Sequence, residues 1–328
     1  MNYLLITILL IICAVVYIKL AQKFNIVDNP NFRSSHTIPT IRGGGMLFYV
    51  AVVLFFILSD FKYPYFFVAI SSIALVSFID DIKTLSAKVR LPFQFFAIAL
   101  VMYQTGLFDS SILLIISLLI IGVGFINLYN FMDGINGITG LYSLVVLSGF
   151  FVLNYKENIV NENLIEFVMV SIIVFGYYNF RKKARMFAGD IGSISLAMVI
   201  FFLGLNFITA LKAPIIIIMV VVYGVDSVLT ILYRIYLKEN IAQPHRHHMY
   251  QKLVDVKKWS HLQVSGMYAG IQLIVNLLVL VTYKMSVAKQ LAIVAGFIIL
   301  GVLGYVWLFR VLKITKVKML NQVQHDET

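Results

Sequence analysis

Apolar stretches about as long as a bilayer is thick recur along this 328-residue chain, with charge confined between them. An α-helix rises 1.5 Å per residue, so roughly 20 mostly apolar residues cross the ~30 Å hydrocarbon core. Eleven stretches approach that length: 3–20, 43–59, 64–79, 91–107, 111–128, 138–154, 165–180, 193–211, 214–235, 264–283 and 289–309. They predict an all-α fold, a polytopic transmembrane helical bundle of about 11 helices. Composition agrees: 61% of residues are hydrophobic and 12% charged, against about 25% charged in soluble domains. The largest inter-helix segment, about 236–263, is too short to bury a core of its own. Residues 1–328 therefore read as a single integral-membrane domain, without internal repeats.

The net charge of +11 does not call for a nucleic-acid partner, because excess Lys and Arg mark the cytoplasmic loops of membrane proteins. With eleven crossings and the N-terminus outside, all but five of the 26 Lys and Arg residues fall inside; the exceptions are Lys62, Lys156, Lys212, Lys284 and Lys289. One span more or fewer would invert every later loop, so this asymmetry predicts a cytoplasmic C-terminus. The start of the chain lacks a basic n-region, and a retained first helix is expected rather than a cleaved signal. The single cysteine, Cys13, excludes a disulfide framework and a thiolate metal site.

The acids are distributed unevenly. Asp28, Asp80, Asp81, Asp133, Asp190 and Asp226 all sit at or near the inner ends of apolar stretches, where a carboxylate is costly unless paired, hydrated or bound to a cation. A polar site on the cytoplasmic face follows. Asp80-Asp81 reads as a Mg²⁺ site or a general base beside one, or as a solvated helix end; Lys88 and Arg90 follow closely enough to hold phosphate oxygens. In Asn127-Leu-Tyr-Asn130-Phe-Met-Asp133-Gly134-Ile-Asn136-Gly137 several oxygen ligands surround one chain reversal, and Asn127 and Asn130 share a helix face. Gly189-Asp190-Ile-Gly-Ser193 follows the basic run 181–185 and reads as a helix N-cap or as part of a metal–diphosphate site. Pro244-His245-Arg246-His247-His248 lacks the spacing of a structural zinc site and fits a diphosphate clamp or proton relay better. Thr40-Ile-Arg42-Gly43-Gly44-Gly45 offers, as a weaker signal, backbone amides to phosphate. Asp226 reads equally well as polar glue between helices.

Together these motifs, in this order from about Asp28 to Leu253, resemble the polyprenyl-phosphate N-acetylhexosamine-1-phosphate transferases. Those include O-antigen and wall-polymer initiators and the phospho-MurNAc-pentapeptide translocases. The resemblance implies a single catalytic domain in the bacterial inner membrane, with the motifs within 28–253, and with 254–328 forming the last two helices and a basic tail. It implies a UDP-N-acetylhexosamine donor, an undecaprenyl-phosphate acceptor, UMP as product, and Mg²⁺, for which Mn²⁺ could substitute. It further implies Asn130 and Asp190 as metal ligands and Asp80, Asp81 and Asp133 as catalytic groups. Lys88, Arg90, Asn127, His245, Arg246, His247 and His248 would bind substrate. A homodimer is left open. Many relatives carry Asp where this chain has Asn136, so no acid role passes to that position; the Asn form looks like the O-antigen branch, some of which uses 6-deoxy sugars. The competing class is a transporter or lipid carrier, which would place its polar groups nearer the midplane and show repeated halves. Direct attack on the β-phosphorus with inversion is favoured, and a phospho-Asp intermediate on Asp80 or Asp81 is the alternative.

Overall fold

The computed structural model describes residues 3–30, 38–240, 243 and 245–326, with side chains as far as Leu312. Arg33 and Pro244 of the expected cytoplasmic segments, and the side chains of Lys313, Lys316 and Lys318, lie outside the described residues. Backbone amides and carbonyls cannot be left unpaired in lipid, so each apolar stretch closes on itself as a helix. The helices are α1 Tyr3–Lys23, α2 Met46–Leu58, α3 Pro64–Ile82, α4 Ala87–Gln104, α5 Ile112–Phe131, α6 Ile138–Glu157, α7 Glu162–Asn179, α8 Gly189–Leu211, α9 Val221–Tyr236, α10 Met249–Asp255, α11 His261–Thr282 and α12 Val287–Asp326. A 3₁₀ stretch, Pro214–Val220, leads into α9.

Each of the eleven expected stretches overlies a helix, yet among the described residues only eight helices are long and apolar enough to cross a membrane. Helix α2 has 13 residues. Helix α4 carries Lys88, Arg90 and Pro92 in its first two turns, and α7 opens with Glu162 and Glu166. These three fall short by length or polarity. Two further departures are local. Helix α10 was not expected, and α12 runs 40 residues to Asp326 where a tail was expected after 309. No Gly or Pro interrupts residues 305–326, and without a breaker the Lys-, Leu- and Gln-rich segment continues its helix. The fold is also not purely helical. Val27–Asp28 (β1) pairs antiparallel with Thr40–Ile41 (β2), Val27 opposite Ile41, and Ile41 bridges to Met186.

Helix α8 is the axis of the bundle. It packs against α2, α3 and α5, and residues from Gly189 to Phe207 are buried on nearly every face. Its first turns approach the start of α2 so closely that a Cβ added at Gly192 would sit 2.7 Å from Gly45 Cα. Neither residue can carry a side chain while that crossing exists. The amides of Gly44 and Gly45 donate to the carbonyls of Phe187 (2.8 Å) and Ala188 (2.9 Å). This corrects the expectation for Gly44 and Gly45, whose amides are taken by neighbouring carbonyls and not offered to phosphate.

Gly192→Val should therefore cost more than the roughly 1–3 kcal/mol of ordinary overpacking, because backbone rather than a movable side chain is in the way. Gly204→Ala, with open space around it, should be neutral. Melting of detergent-purified protein followed by size-exclusion chromatography separates the two; a Gly192→Val protein as stable as its parent would show that the crossing can open.

Candidate active site

The carboxylates at the ends of α3 and α8 converge on two arginines. Asp81, whose side chain is 0% exposed, accepts Nε of Arg42 at 2.7 Å. It also accepts the backbone amides of Asp190 (2.9 Å) and Ile191 (3.1 Å). It thus closes the N-terminus of α8, where free amides and the helix dipole favour an anion. Asp80 accepts the amide of Leu85 and Nη1 of Arg90 at 2.9 Å. Asp190 lies between the arginines, 3.3 Å from Arg42 Nη2 and 3.5 Å from Arg90 Nη1, and its carboxyl also meets that of Asp80. The strand pair β1–β2 delivers Arg42 to this cluster. Tyr17 fixes it by donating its hydroxyl to the Arg42 carbonyl.

Gly189 shows how tightly this corner is built. Its φ is +72°, and a Cβ there would meet Asp81 Oδ1 at 2.8 Å and the Gly43 nitrogen at 2.8 Å. Left-handed backbone and close approach both require glycine here.

The end of α5 and the turn after it supply the second group. Asn130 Oδ1 accepts the hydroxyl of Ser193 at 2.6 Å. Since Ser193 is one helical turn beyond Asp190, this places the Asn130 amide oxygen beside the start of α8. Asp133 is half-buried and accepts Thr139 Oγ1 at 2.7 Å. Burial pushes its carboxyl up to about 6, with the charge of Asp81 adding to the shift and Arg42 opposing it. Asn136 donates to the carbonyls of Arg181 (2.9 Å) and Lys182 (3.2 Å), so it fastens the basic loop to the turn. Asn127 exchanges hydrogen bonds with Gln94. Both line a pocket of about 280 Å³ whose other walls are Ala87, Arg90, Leu91, Phe131 and Ile231. One end is polar, at Arg90; the rest is mostly apolar.

The 245–248 segment is not a uniform histidine clamp. His245 stacks against His247 and lies tilted against His248, with ring centroids 5.8 and 4.9 Å away. Burial, with His248 adding to it, holds its imidazole down to about 4, so in the free protein it is neutral near pH 7. His247 Nε2 lies 3.1 Å from Glu239, which also receives Arg234 Nε at 3.0 Å. Arg246 pairs through two nitrogens with Asp255, at 3.1 and 2.9 Å. His248 is buried against Asp226, Nδ1 to Oδ1 3.3 Å. Lys88 is exposed on the first turn of α4.

The structure thus joins Asp80, Asp81 and Asp190 into one charged cluster and sets Asn130 beside it. Arg246 and His247 are tied to acids of their own segment, and Lys88 makes no described contact with the cluster. Two participants were underweighted in the sequence. Arg42 was visible only as part of a glycine run, and Asp226 only as a lone acid in an apolar helix. Among the described residues no group of three or more His, Cys, Asp or Glu is arranged as a ready-made metal cage. The donors around Asp190 are all oxygens, which suits a hard cation that keeps several waters and takes one or two protein ligands.

Residues 63–208 match the sequence profile of glycosyl transferase family 4. The chain is 28% identical over 260 residues to the "Probable undecaprenyl-phosphate N-acetylglucosaminyl 1-phosphate transferase" of Bacillus subtilis, covering 72% of each chain. It is 30% identical over 174 residues to the phospho-N-acetylmuramoyl-pentapeptide-transferase of Dictyoglomus thermophilum, covering 47% of this chain and 55% of that one. It is 26% identical over 198 residues to the undecaprenyl-phosphate α-N-acetylglucosaminyl 1-phosphate transferase of Yersinia pestis, covering 53% of each. The last two matches span about half the length of those relatives. The matched segment 63–208 holds Asp80, Asp81, Arg90, Asn127, Asn130, Asp133 and Asp190. Arg42 and the histidine segment lie outside it in sequence and fold onto it in space.

The roles of Asp81 and Asp190 separate experimentally. Asp81→Ala leaves Arg42 and two helix amides without their acceptor, and breaking a buried pair costs about 3–5 kcal/mol. Asp190→Asn removes one of three crowded carboxylates and should leave stability unchanged or raised. Thermal unfolding in one detergent reads both, and an Asp81→Ala protein as stable as the parent would deny Asp81 its clamping role.

Proposed function

We propose that this chain transfers an N-acetylhexosamine 1-phosphate from its UDP-sugar to undecaprenyl phosphate, releasing UMP, as an initiating step of O-antigen or another cell-envelope polysaccharide. The observation that carries this reading is the charged cluster of Asp80, Asp81, Asp190, Arg42 and Arg90, of which Arg90 also lines a mostly apolar pocket. A long-chain lipid phosphate needs both features, and a soluble donor needs only the first. The names of the relatives point the same way. The whole chain would act as one catalytic domain in the bacterial inner membrane. Its site would face the cytoplasm, with the N-terminus outside and the C-terminus inside, as the asymmetry of Lys and Arg supports.

Asp190, with Asn130 beside it, would hold Mg²⁺. When bound, the ion would offset phosphate charge and improve the UMP leaving group. Arg90, at the rim of the pocket, would receive the acceptor phosphate, while Leu91, Phe131 and Ile231 line the start of a path for the prenyl chain. An acceptor-phosphate oxygen attacks the β-phosphorus of the donor; the bond from that phosphorus to the bridging oxygen breaks, and its electrons leave with UMP. The carboxylate oxygens of Asp80 and Asp81 are engaged by arginine and backbone amides. That favours direct attack over a phospho-Asp intermediate. Asp133, ionised above about 6, would take the acceptor's remaining proton.

Membranes holding the chain, given radiolabelled UDP-N-acetylhexosamines and undecaprenyl phosphate, should yield a lipid-linked product and one UMP per turnover. EDTA should abolish this, and Mg²⁺ or Mn²⁺ restore it. No lipid product from any UDP-N-acetylhexosamine would sink the reading. The acid limb gives a second check. A carboxylate titrating near 6 is about nine-tenths ionised at pH 7 and about one-tenth at pH 5, so turnover should fall about tenfold over that interval. Asp133→Asn should be nearly inactive at every pH; a variant with the parent's rate and acid limb would exclude Asp133.

A further inference from the structure

The dyad beneath the histidine segment has a use that its packing does not explain. Asp226, in α9, is 2% exposed and so is His248. Besides His248 Nδ1, the Asp226 carboxylate receives the Met249 amide (2.9 Å), the Tyr268 hydroxyl (2.6 Å) and Thr230 Oγ1 (3.2 Å). The Gln251 amide approaches the same side of the ring as a cap of α10, but the carboxylate can only accept, which assigns the proton of the Asp226 contact to His248 Nδ1. The other ring nitrogen, Nε2, is buried and has no hydrogen-bond partner in the described structure. An orphaned buried nitrogen costs free energy. One side of the ring is held by a carboxylate and the other is left without a partner.

The dyad also abuts the candidate active site. Tyr250 stacks on His248 at 5.5 Å and donates its hydroxyl to the Phe131 carbonyl at 3.1 Å. That contact seats the dyad against the turn carrying Asn130 and Asp133. Gly134 is where this turn meets Tyr250: a Cβ there would sit 3.0 Å from the ring carbon that bears the hydroxyl.

We infer that Asp226 is a positioning residue: it fixes the orientation and tautomer of His248 so that Nε2 is reserved for an oxygen of the donor's diphosphate. This rests on the transferase reading above. With Nδ1–H bound to Asp226, the ring can carry a second proton on Nε2 and donate it to a phosphate oxygen, the carboxylate balancing the imidazolium. Charge-assisted hydrogen bonds of this kind are roughly twice as strong as neutral ones. Asn at 226 keeps one acceptor oxygen, for the Met249 amide, but loses the acceptor that Tyr268 uses and cannot balance that charge.

The test is calorimetric titration of UDP-N-acetylglucosamine into full-length protein in nanodiscs, beside the lipid-product assay. Asp226→Asn and His248→Ala should each weaken donor binding about tenfold, with turnover at saturating donor changed far less. The double variant should bind no worse than His248→Ala alone. Tyr268→Phe, which removes another hydrogen bond from the same carboxylate, should stay within twofold of the parent. Additive losses in the double variant, or a Tyr268→Phe loss equal to that of Asp226→Asn, would make Asp226 a purely structural hub and overturn the inference. Should Asp226→Asn fail to fold, ¹⁵N-histidine spectra of the unsubstituted protein decide instead. A ring signal protonated at Nδ1 that disappears in His248→Ala upholds the inference, and one protonated only at Nε2 overturns it. If the unsubstituted protein makes lipid product while the cycle is additive, only the inference falls. If it neither binds the donor nor makes product, both fall.

Discussion

The N-terminus of α8 is held by a carboxylate from another helix, and the polar architecture is arranged around that fact. A helix that begins inside a membrane bundle exposes amides which lipid cannot satisfy. Asp81 supplies the missing acceptor for two of them, and Arg42 supplies the counter-charge that lets the acid be buried. Arg42 can arrive only because β1 and β2 pair and because Gly43–Gly45 lie flat against the backbone leading into α8. Asp190 and Ser193, on the first turn of that helix, inherit their positions from this joint. Packing, capping and the candidate chemistry are one structure here.

Much of this was legible in the sequence, in proportion to how local each signal is. The apolar stretches are local, so every helix from α1 to α9 could be placed, as could α11 and the membrane part of α12. The acids stand out because lipid makes unpaired charge expensive. Less visible was which acid does what. Asp80 and Asp81 are adjacent and chemically identical, yet one faces Arg90 and the other faces amides more than a hundred residues later in the chain. The distinction lies in a tertiary contact that no spacing encodes. The same holds for the three histidines, whose partners are a carboxylate in α9, a glutamate in the preceding loop and each other's rings.

The glycine run before α2 is instructive in the opposite sense. Its signal was strong but admitted two physical uses, since glycine lets a backbone approach a ligand or another backbone equally well. The second use applies at Gly44 and Gly45, whose amides face carbonyls of residues 187 and 188. The crossing with Gly192 needs two small residues far apart in sequence, and either alone looks like a flexible hinge.

The two arginines that bracket Asp190 have a consequence for how the protein comes to exist. Three carboxylates facing one another would repel unless something positive stood among them, and in many metalloproteins that something is the ion, so folding waits for metal. Here Arg42 and Arg90 are built into the chain and already occupy that place, with contacts to Asp190 of 3.3 and 3.5 Å that are long enough to yield. Two guanidiniums offset two of the three carboxylates before any ligand arrives. A corner whose positive charge is supplied by the chain itself has less need of an outside cation in order to fold.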